Sequence, residues 1–282
     1  MLAERCLPLL ACVAALAGVA WPRPRRNLTW FAAGLLMVAI GLLGWHLLTD
    51  HFAYRYVWLY SGAARWHLKL ANLWGGDEGT LLFLAMLLAL SAARLITYRG
   101  WAGPCALSLT AVFALAAAIW SPFTPTAPEA LARAASQGMN VHLLRIWMVI
   151  HPPLIFTAYV FILAPTGAAL EALVKGTGEW RLIAQRWGRM GWLILSAGLA
   201  AGMWAYEDFT FGQFWHWDPV QTSVFIVWAL ATAYQHGCAA IQPEGLFARV
   251  LPGLALLAAV AALTSMAVTR NAVLAEFAPL HR

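Results

Sequence analysis

Charge is what this chain has least of. Only 11% of its 282 residues are charged against 62% hydrophobic, and the mean hydropathy is +0.70. That balance excludes a soluble globule of ordinary make-up and points to a polytopic membrane protein. Cysteine is also scarce. Cys6, Cys12, Cys105 and Cys238 stand apart, in or beside apolar runs, and form no C-x-x-C, so a thiol-exchange role, which needs an exposed low-pKa pair, finds no support. No two Gly/Pro-broken helices recur in matching halves, which disfavours a transporter. The first apolar run lacks a basic leader and an Ala-x-Ala site, and a charged stop at 22–26 follows it. It reads as a retained helix rather than a cleaved signal peptide. The net charge of +6 is spread over loops facing lipid headgroups and needs no nucleic-acid partner.

Apolar runs long enough to cross a bilayer, about 20 residues each, fall at 7–21, 28–48, 79–98, 102–120, 150–171, 190–206, 221–240 and 250–268. The expected fold is therefore all-α, a polytopic membrane protein of about eight transmembrane helices forming one domain over 1–282. Basic residues set its orientation. Arg23, Arg25, Arg26, Arg94, Arg99, Lys175, Arg181, Arg186, Arg189 and Arg249 all fall in loops on one side. Taking that side as cytoplasmic puts both termini outside. The outer loops hold Arg55, Arg65, Lys69, Arg133 and Arg145, together with most of the acids.

The outer loop at about 204–219 is the most distinctive stretch. Trp204, Tyr206, Phe209, Phe211, Phe214, Trp215 and Trp217 place seven aromatics in fourteen residues, where the whole chain has 13%. Asp218 suits an N-cap, Pro219 the first helical position and Gln221 the capping-box position, so the loop has a fixed exit. An interfacial aromatic belt would account for the Trp and Tyr content. It would not require the order Gly-Gln-Phe-Trp-His-Trp-Asp-Pro from Gly212, nor the acids Glu207 and Asp208. A planar macrocycle bearing two propionates would use stacked rings and nearby donors.

Two histidines stand out. His151 precedes Pro152 and Pro153, which are expected to open the fifth helix and hold His151 extended at its outer mouth. His236 lies roughly 25 Å along the seventh helix from Pro219. Each is either a structural imidazole or a ligand, and an ionisable group at membrane depth favours function. His142 and Arg145 lie in the apolar segment before His151, where Arg145 can snorkel or meet a propionate.

Phe214-Trp-His-Trp-Asp-Pro-Val220, with Gly212 before it, resembles the tryptophan-rich WWD haem-handling signature of cytochrome c maturation proteins. Its flanks resemble CcmF and NrfE. Leu73-Trp-Gly-Gly-Asp-Glu-Gly-Thr80 is similar to the Trp-Gly-x-x-Glu-Gly-Ser stretch of CcmF, with Asp77 where that family usually has His. His151-Pro-Pro-Leu-x-Phe-x-x-Tyr159 matches the segment carrying an external haem-ligating histidine, and His236 sits where the family ligates a buried b-type haem. The resemblance runs from about Trp74 to the end. It fails where a second external histidine is expected, because that slot falls on Ala278; His281, three residues on, is the candidate substitute. CcmF proteins continue beyond this point through further helices.

The resemblance implies a haem lyase, or a subunit of a split one, that presents haem at the outer face of the inner membrane to thiols of an apocytochrome c. Trp204, Gly212, Trp215, Trp217, Asp218 and Arg145 would bind the cofactor, haem b. His151, His236 and His281 would be metal ligands, and no residue would be catalytic in its own right. Implied partners are apocytochrome c, other maturation proteins, a chain supplying the C-terminal half, and membrane lipid. The competing expectation is a haem-binding or structural subunit of a respiratory assembly that ligates nothing.

Overall fold

A computed structural model describes residues 2–62, 64–133, 136–139, 144–176, 180–208, 212–240 and 247–270. In chain order the helices are α1 (Leu2–Ala20), α2 (Arg25–Leu48), α3 (Arg55–Tyr60), α4 (Trp66–Ala71), α5 (Asp77–Leu95), α6 (Ala102–Ile119), α7 (Pro128–Arg133), α8 (Trp147–Leu163), α9 (Thr166–Lys175), α10 (Trp180–Ile183), α11 (Arg189–Tyr206), α12 (Pro219–Ala240) and α13 (Phe247–Thr269). Among the described residues there is no strand, only an isolated bridge between Tyr54 and Pro125. The protein is all-α and spans the membrane several times.

Six of these segments are long and apolar enough to cross a bilayer: Ala3–Ala20, Arg25–Leu48, Asp77–Leu95, Ala102–Ile119, Trp147–Lys175 and Arg249–Thr269. The expected eight included α11 and α12. These have 18 and 22 residues, about 27 and 33 Å of helix, so length is sufficient. What lowers their apolarity most is Arg189 at the start of α11 and Gln221, Gln235 and His236 in α12; the smaller polar side chains of these helices bond one another. Trp192 Nε1 donates to Thr232 Oγ1 (2.8 Å) and Trp228 Nε1 to Ser196 Oγ (2.9 Å). Tyr159, Ser265 and Ser223 form a hydroxyl chain with both links at 2.8 Å. Such pairs hold membrane helices together and satisfy their own polar groups in hydrocarbon.

The helices gather into two compact units whose boundaries fall just after α5 and inside α6 and α8: residues 1–96 with 106–153, and residues 97–105 with 154–282. In the first unit α1 packs on α2 and α2 on α5. Ala11, Ala14 and Ala15 of α1 and Ala32, Ala33, Leu36 and Ala39 of α2 are all buried, and small side chains of this kind let helix axes approach closely. Arg25 turns back to donate to Gly18 O at 2.8 Å, capping the last carbonyls of α1.

The stretch between α2 and α5 is an ordered shelf rather than open loop. Tyr56 Oη donates to Asn72 O at 2.7 Å and accepts from Gly76 N at 3.0 Å. Lys69 donates to Asp50, and Ser61 Oγ to Leu47 O at 2.9 Å. The glycines of the Trp-Gly-Gly-Asp-Glu-Gly stretch exist for this packing. A Cβ on Gly76 would lie 2.5 Å from the Tyr60 ring, and one on Gly79 2.2 Å from Leu73 O. Asp77 and Glu78 occupy the first turn of α5, favourable to its dipole. Neither caps it: the N-cap is Gly76, without a side-chain bond.

In the second unit α12 packs on α13 and α11, and α13 on α9. Ile155, Ala158, Tyr159, Leu195, Val224, Val227, Ala231, Ala258 and Ala262 form its buried centre. The expected helix over 150–171 is broken by Pro165, which is the N-cap of α9. Glu171, buried in α9, is satisfied by Trp101 N at 2.9 Å and Lys175 Nζ at 3.0 Å.

Candidate functional site

The aromatic loop leaves α11 at Tyr206 and enters α12 at Pro219. Its exit is held as its residue types suggest. Asp218 is buried, and its Oδ1 accepts from Gln221 N at 2.8 Å, while its carbonyl accepts from Thr222 N at 3.0 Å. Gln221 reaches back, its Oε1 accepting from His216 N at 2.9 Å. Two backbone donors are thereby satisfied by two side chains, a capping arrangement that fixes the residues between them. Gly212 has φ +65° with open space around it, a conformation other residues adopt only under strain.

Fixed in this way, Trp215 and Trp217 meet edge to face with ring centroids 5.4 Å apart, and each lies 5.8 Å from Phe225. Phe225 stacks on Trp228 at 5.8 Å with 25° between planes. Together with Ser196, Leu199, Ala200 and Met203 of α11, these four rings line a groove of about 450 Å³. Its one lining hydroxyl is spent, since Ser196 Oγ accepts from Trp228 and donates to Trp192 O at 2.8 Å. Trp215 Nε1, by contrast, is a buried donor with no acceptor among the described residues. Trp217 is 68% exposed and Trp204, in contact with Phe214 at 5.9 Å, is 61% exposed. A flat apolar molecule carrying an acceptor at its edge would cover the rings and satisfy the orphan N–H. Those are the properties of a porphyrin with carboxylate side chains, so the residues present fit the group expected from the sequence.

The loop residues Trp215, Trp217 and Asp218 thus come together with α11, and Trp204 lies beside Phe214. His236 does not join them. It lies on α12 about 26 Å along the helix axis from Pro219 and is exposed, on the same face as Ile226, Ala229 and Ala233. Arg145 is exposed just ahead of α8. His151 is half-buried, and its setting differs from expectation. Helix α8 begins at Trp147, so His151 lies in its second turn rather than extended at its mouth, and both prolines are inside the helix. The preceding turn, with Met148 N bonded to Arg145 O (3.1 Å) and Val149 N to Ile146 O (2.9 Å), starts the helix early. His281 and His142 lie outside the described residues. No cluster of three or more His, Cys, Asp or Glu able to hold a metal ion occurs among the described residues.

Several contributors were not singled out from the sequence. Ser196, Met203, Phe225 and Trp228 reach the groove only through folding, although Trp192/Ser196 and Trp228/Thr232 share the i, i+4 spacing that puts a pair on one helix face. In the first unit His46 Nε2 lies 2.9 Å from Glu4 Oε1, His51 Nδ1 lies 3.1 Å from His46 Nδ1, and Tyr54 donates to Glu4. Burial, and then the Glu4 carboxylate beside it, push the Tyr54 phenol well above its ordinary value.

A family model described as Cytochrome C assembly protein matches residues 74–269. The chain is 32% identical over 286 residues to the probable cytochrome c-type biogenesis protein NrfE of Escherichia coli (strain K12), covering 94% of this chain and 51% of that protein. It is 28% identical over 247 residues to the cytochrome c-type biogenesis protein CcmF of Pseudomonas aeruginosa, covering 80% of this chain and 36% of the relative. Among solved structures, cytochrome c heme lyase CcmF superposes with a TM-score of 0.77 at 23% identity, covering 99% of this chain and 48% of the other. The chain thus spans about half or less of the length of these relatives. With the family model covering well over half of its residues, this multi-pass membrane chain belongs to the cytochrome c assembly protein family.

Proposed function

We propose that the chain handles haem for covalent attachment to apocytochrome c, as a haem lyase or as one subunit of a split lyase. The observation that carries this is the groove at one end of α11 and α12, walled by Trp215, Trp217, Phe225 and Trp228 and containing the unsatisfied Trp215 N–H. In this reading the rings bind a flat macrocycle by stacking and exclude water, and Trp215 Nε1 donates to an acceptor on it. Asp218 acts through the loop, holding both tryptophans in place by its cap. Arg145 offers positive charge to a carboxylate. His151 is the candidate axial ligand at the outer face, with His281 the third candidate, and His236 holds a second, b-type haem deeper in the membrane. When bound, haem supplies vinyl groups to which the two thiols of an apocytochrome C-x-x-C-H segment add. The reactive thiols belong to that partner, in keeping with the scattered cysteines here.

The loop basic residues favour the cytoplasmic (inner) membrane with the aromatic loop on the periplasmic side. Relatives that are cytochrome c-type biogenesis proteins favour other maturation proteins as partners. His236 is exposed on α12, which suits an iron whose second ligand comes from another membrane segment. The test is cytochrome c yield in cells carrying the chain with Trp215→Ala and Trp217→Ala or with His151→Ala, each inserted at normal level. Loss of yield supports the reading. Normal yield, with co-purification of a respiratory complex instead of maturation proteins, favours the structural-subunit alternative.

A further inference from the structure

Prolines inside a helix leave carbonyls without partners, and α8 carries two. Pro152 has no N–H for Met148 O, nor Pro153 for Val149 O, at the sixth and seventh residues of the helix. The Met148 carbonyl is taken instead by the indole of Trp74, whose Nε1 donates to it at 2.6 Å across 74 residues of sequence. Met148 precedes His151 by three residues, so the two lie on neighbouring turns of one helix face. A bond to Met148 O therefore holds the turn from which His151 projects.

Trp74 is itself firmly placed. Its carbonyl accepts from Thr80 Oγ1 at 3.2 Å, and its ring packs on Phe83 with centroids 5.4 Å apart. Just ahead of it, Asn72 O accepts from Tyr56 Oη at 2.7 Å, and the backbone at Leu73 is held against Gly79 too closely for any Cβ. The Trp-Gly-Gly-Asp-Glu-Gly-Thr stretch, which has no part in the groove, thus ends up presenting one indole N–H to one carbonyl. We propose that Trp74 is a positioning residue for His151: it occupies the carbonyl freed by Pro152 and so sets the orientation of the imidazole toward its ligand. This rests on the reading of His151 as an iron ligand, and it gives the glycine-rich stretch a task within that reading.

The experiment uses the full chain in detergent with haemin as probe. Haemin affinity and absorption spectrum are measured for the parent protein, for His151→Gly with and without imidazole, and for Trp74→Phe. Phenylalanine keeps the packing on Phe83 and removes only the donor. In the haem-free protein, amide hydrogen exchange is followed along α8 and along α12. His151→Gly is expected to lose the axial-ligand spectrum and regain it with imidazole, which establishes the ligand independently of Trp74. Trp74→Phe is expected to weaken haemin binding roughly 5- to 30-fold, to shift the spectrum toward that of His151→Gly, and to speed exchange at the start of α8 while leaving α12 unchanged. A merely structural role would speed exchange in both helices and leave the spectrum of bound haemin as in the parent. Should Trp74→Phe fail to fold, Thr80→Val, which removes the hydroxyl bonded to Trp74 O, is expected to give a smaller loss in the same direction. A functional His151 ligand combined with parental affinity and spectrum in the Trp74 and Thr80 variants would overturn the positioning role alone. A silent His151→Gly would overturn the ligand reading and with it the proposal.

Discussion

Trp217→Ala separates a ligand surface from a membrane belt. The indole is 68% exposed, so it contributes little to the folded core. Its loss removes two edge-to-face contacts, with Trp215 and Phe225, worth about 0.5–1.5 kcal/mol each. A Trp side chain offers up to about 250 Å², leaving roughly 170 Å² here to be covered by a ligand, or about 4 kcal/mol at 25 cal/mol/Å² as a ceiling. A flat molecule covers one face of the ring, so about 2 kcal/mol is realised, a loss of roughly 30-fold in affinity. The assay is haemin titration of the purified chain, followed by tryptophan quenching and by absorbance. Trp30 and Trp120, 50% and 59% exposed, lie at helix ends outside the groove and serve as controls expected to change affinity less than about twofold. Equal losses at Trp217, Trp30 and Trp120, or no loss at Trp217, would refute the groove as the binding surface and favour the belt.

Asp218→Ala should cost about 0.5–2 kcal/mol through the lost cap and loosen the loop, lowering haemin retention in proportion, whereas Asp218→Asn, which caps equally well, should retain both; thermal unfolding and haemin titration check this. Ser196→Ala leaves the Trp228 N–H buried without an acceptor and should destabilise the chain by about 1–3 kcal/mol, with Ser196→Thr restoring most of it in denaturant titration. His236→Ala should remove one haem of b type while leaving binding at the groove intact. In the parent chain that haem should be five-coordinate and high-spin alone and low-spin with a partner bearing a membrane histidine. A low-spin spectrum in the isolated chain that needs His236 and a second histidine of the same chain would contradict it.

What was legible in advance follows from range along the chain. Helix positions came from apolar runs, and α2, α5, α6, α12 and α13 fall within a few residues of expectation. The loop exit was legible because Asp218, Pro219 and Gln221 act within four residues of one another. The start of α8 was not. The local preference of a residue before proline favours an extended His151, and Trp74, the partner of Met148 O 74 residues away, lies beyond any local sequence window. The same holds for the groove, whose α11 wall of Ser196, Leu199, Ala200 and Met203 reads as ordinary membrane helix until it packs against Trp228. Counting spans by apolarity alone undervalued α11 and α12, because Arg189 opens the first and Gln221, Gln235 and His236 lie in the second.

The most direct measurement is a pyridine haemochrome spectrum of the chain purified from haem-replete cells, taken for the parent and for a Trp215→Ala, Trp217→Ala double variant of equal yield. The account expects non-covalent b-type haem in the parent and a marked reduction in the variant. A parent free of haem, or a variant carrying as much as the parent, would contradict it.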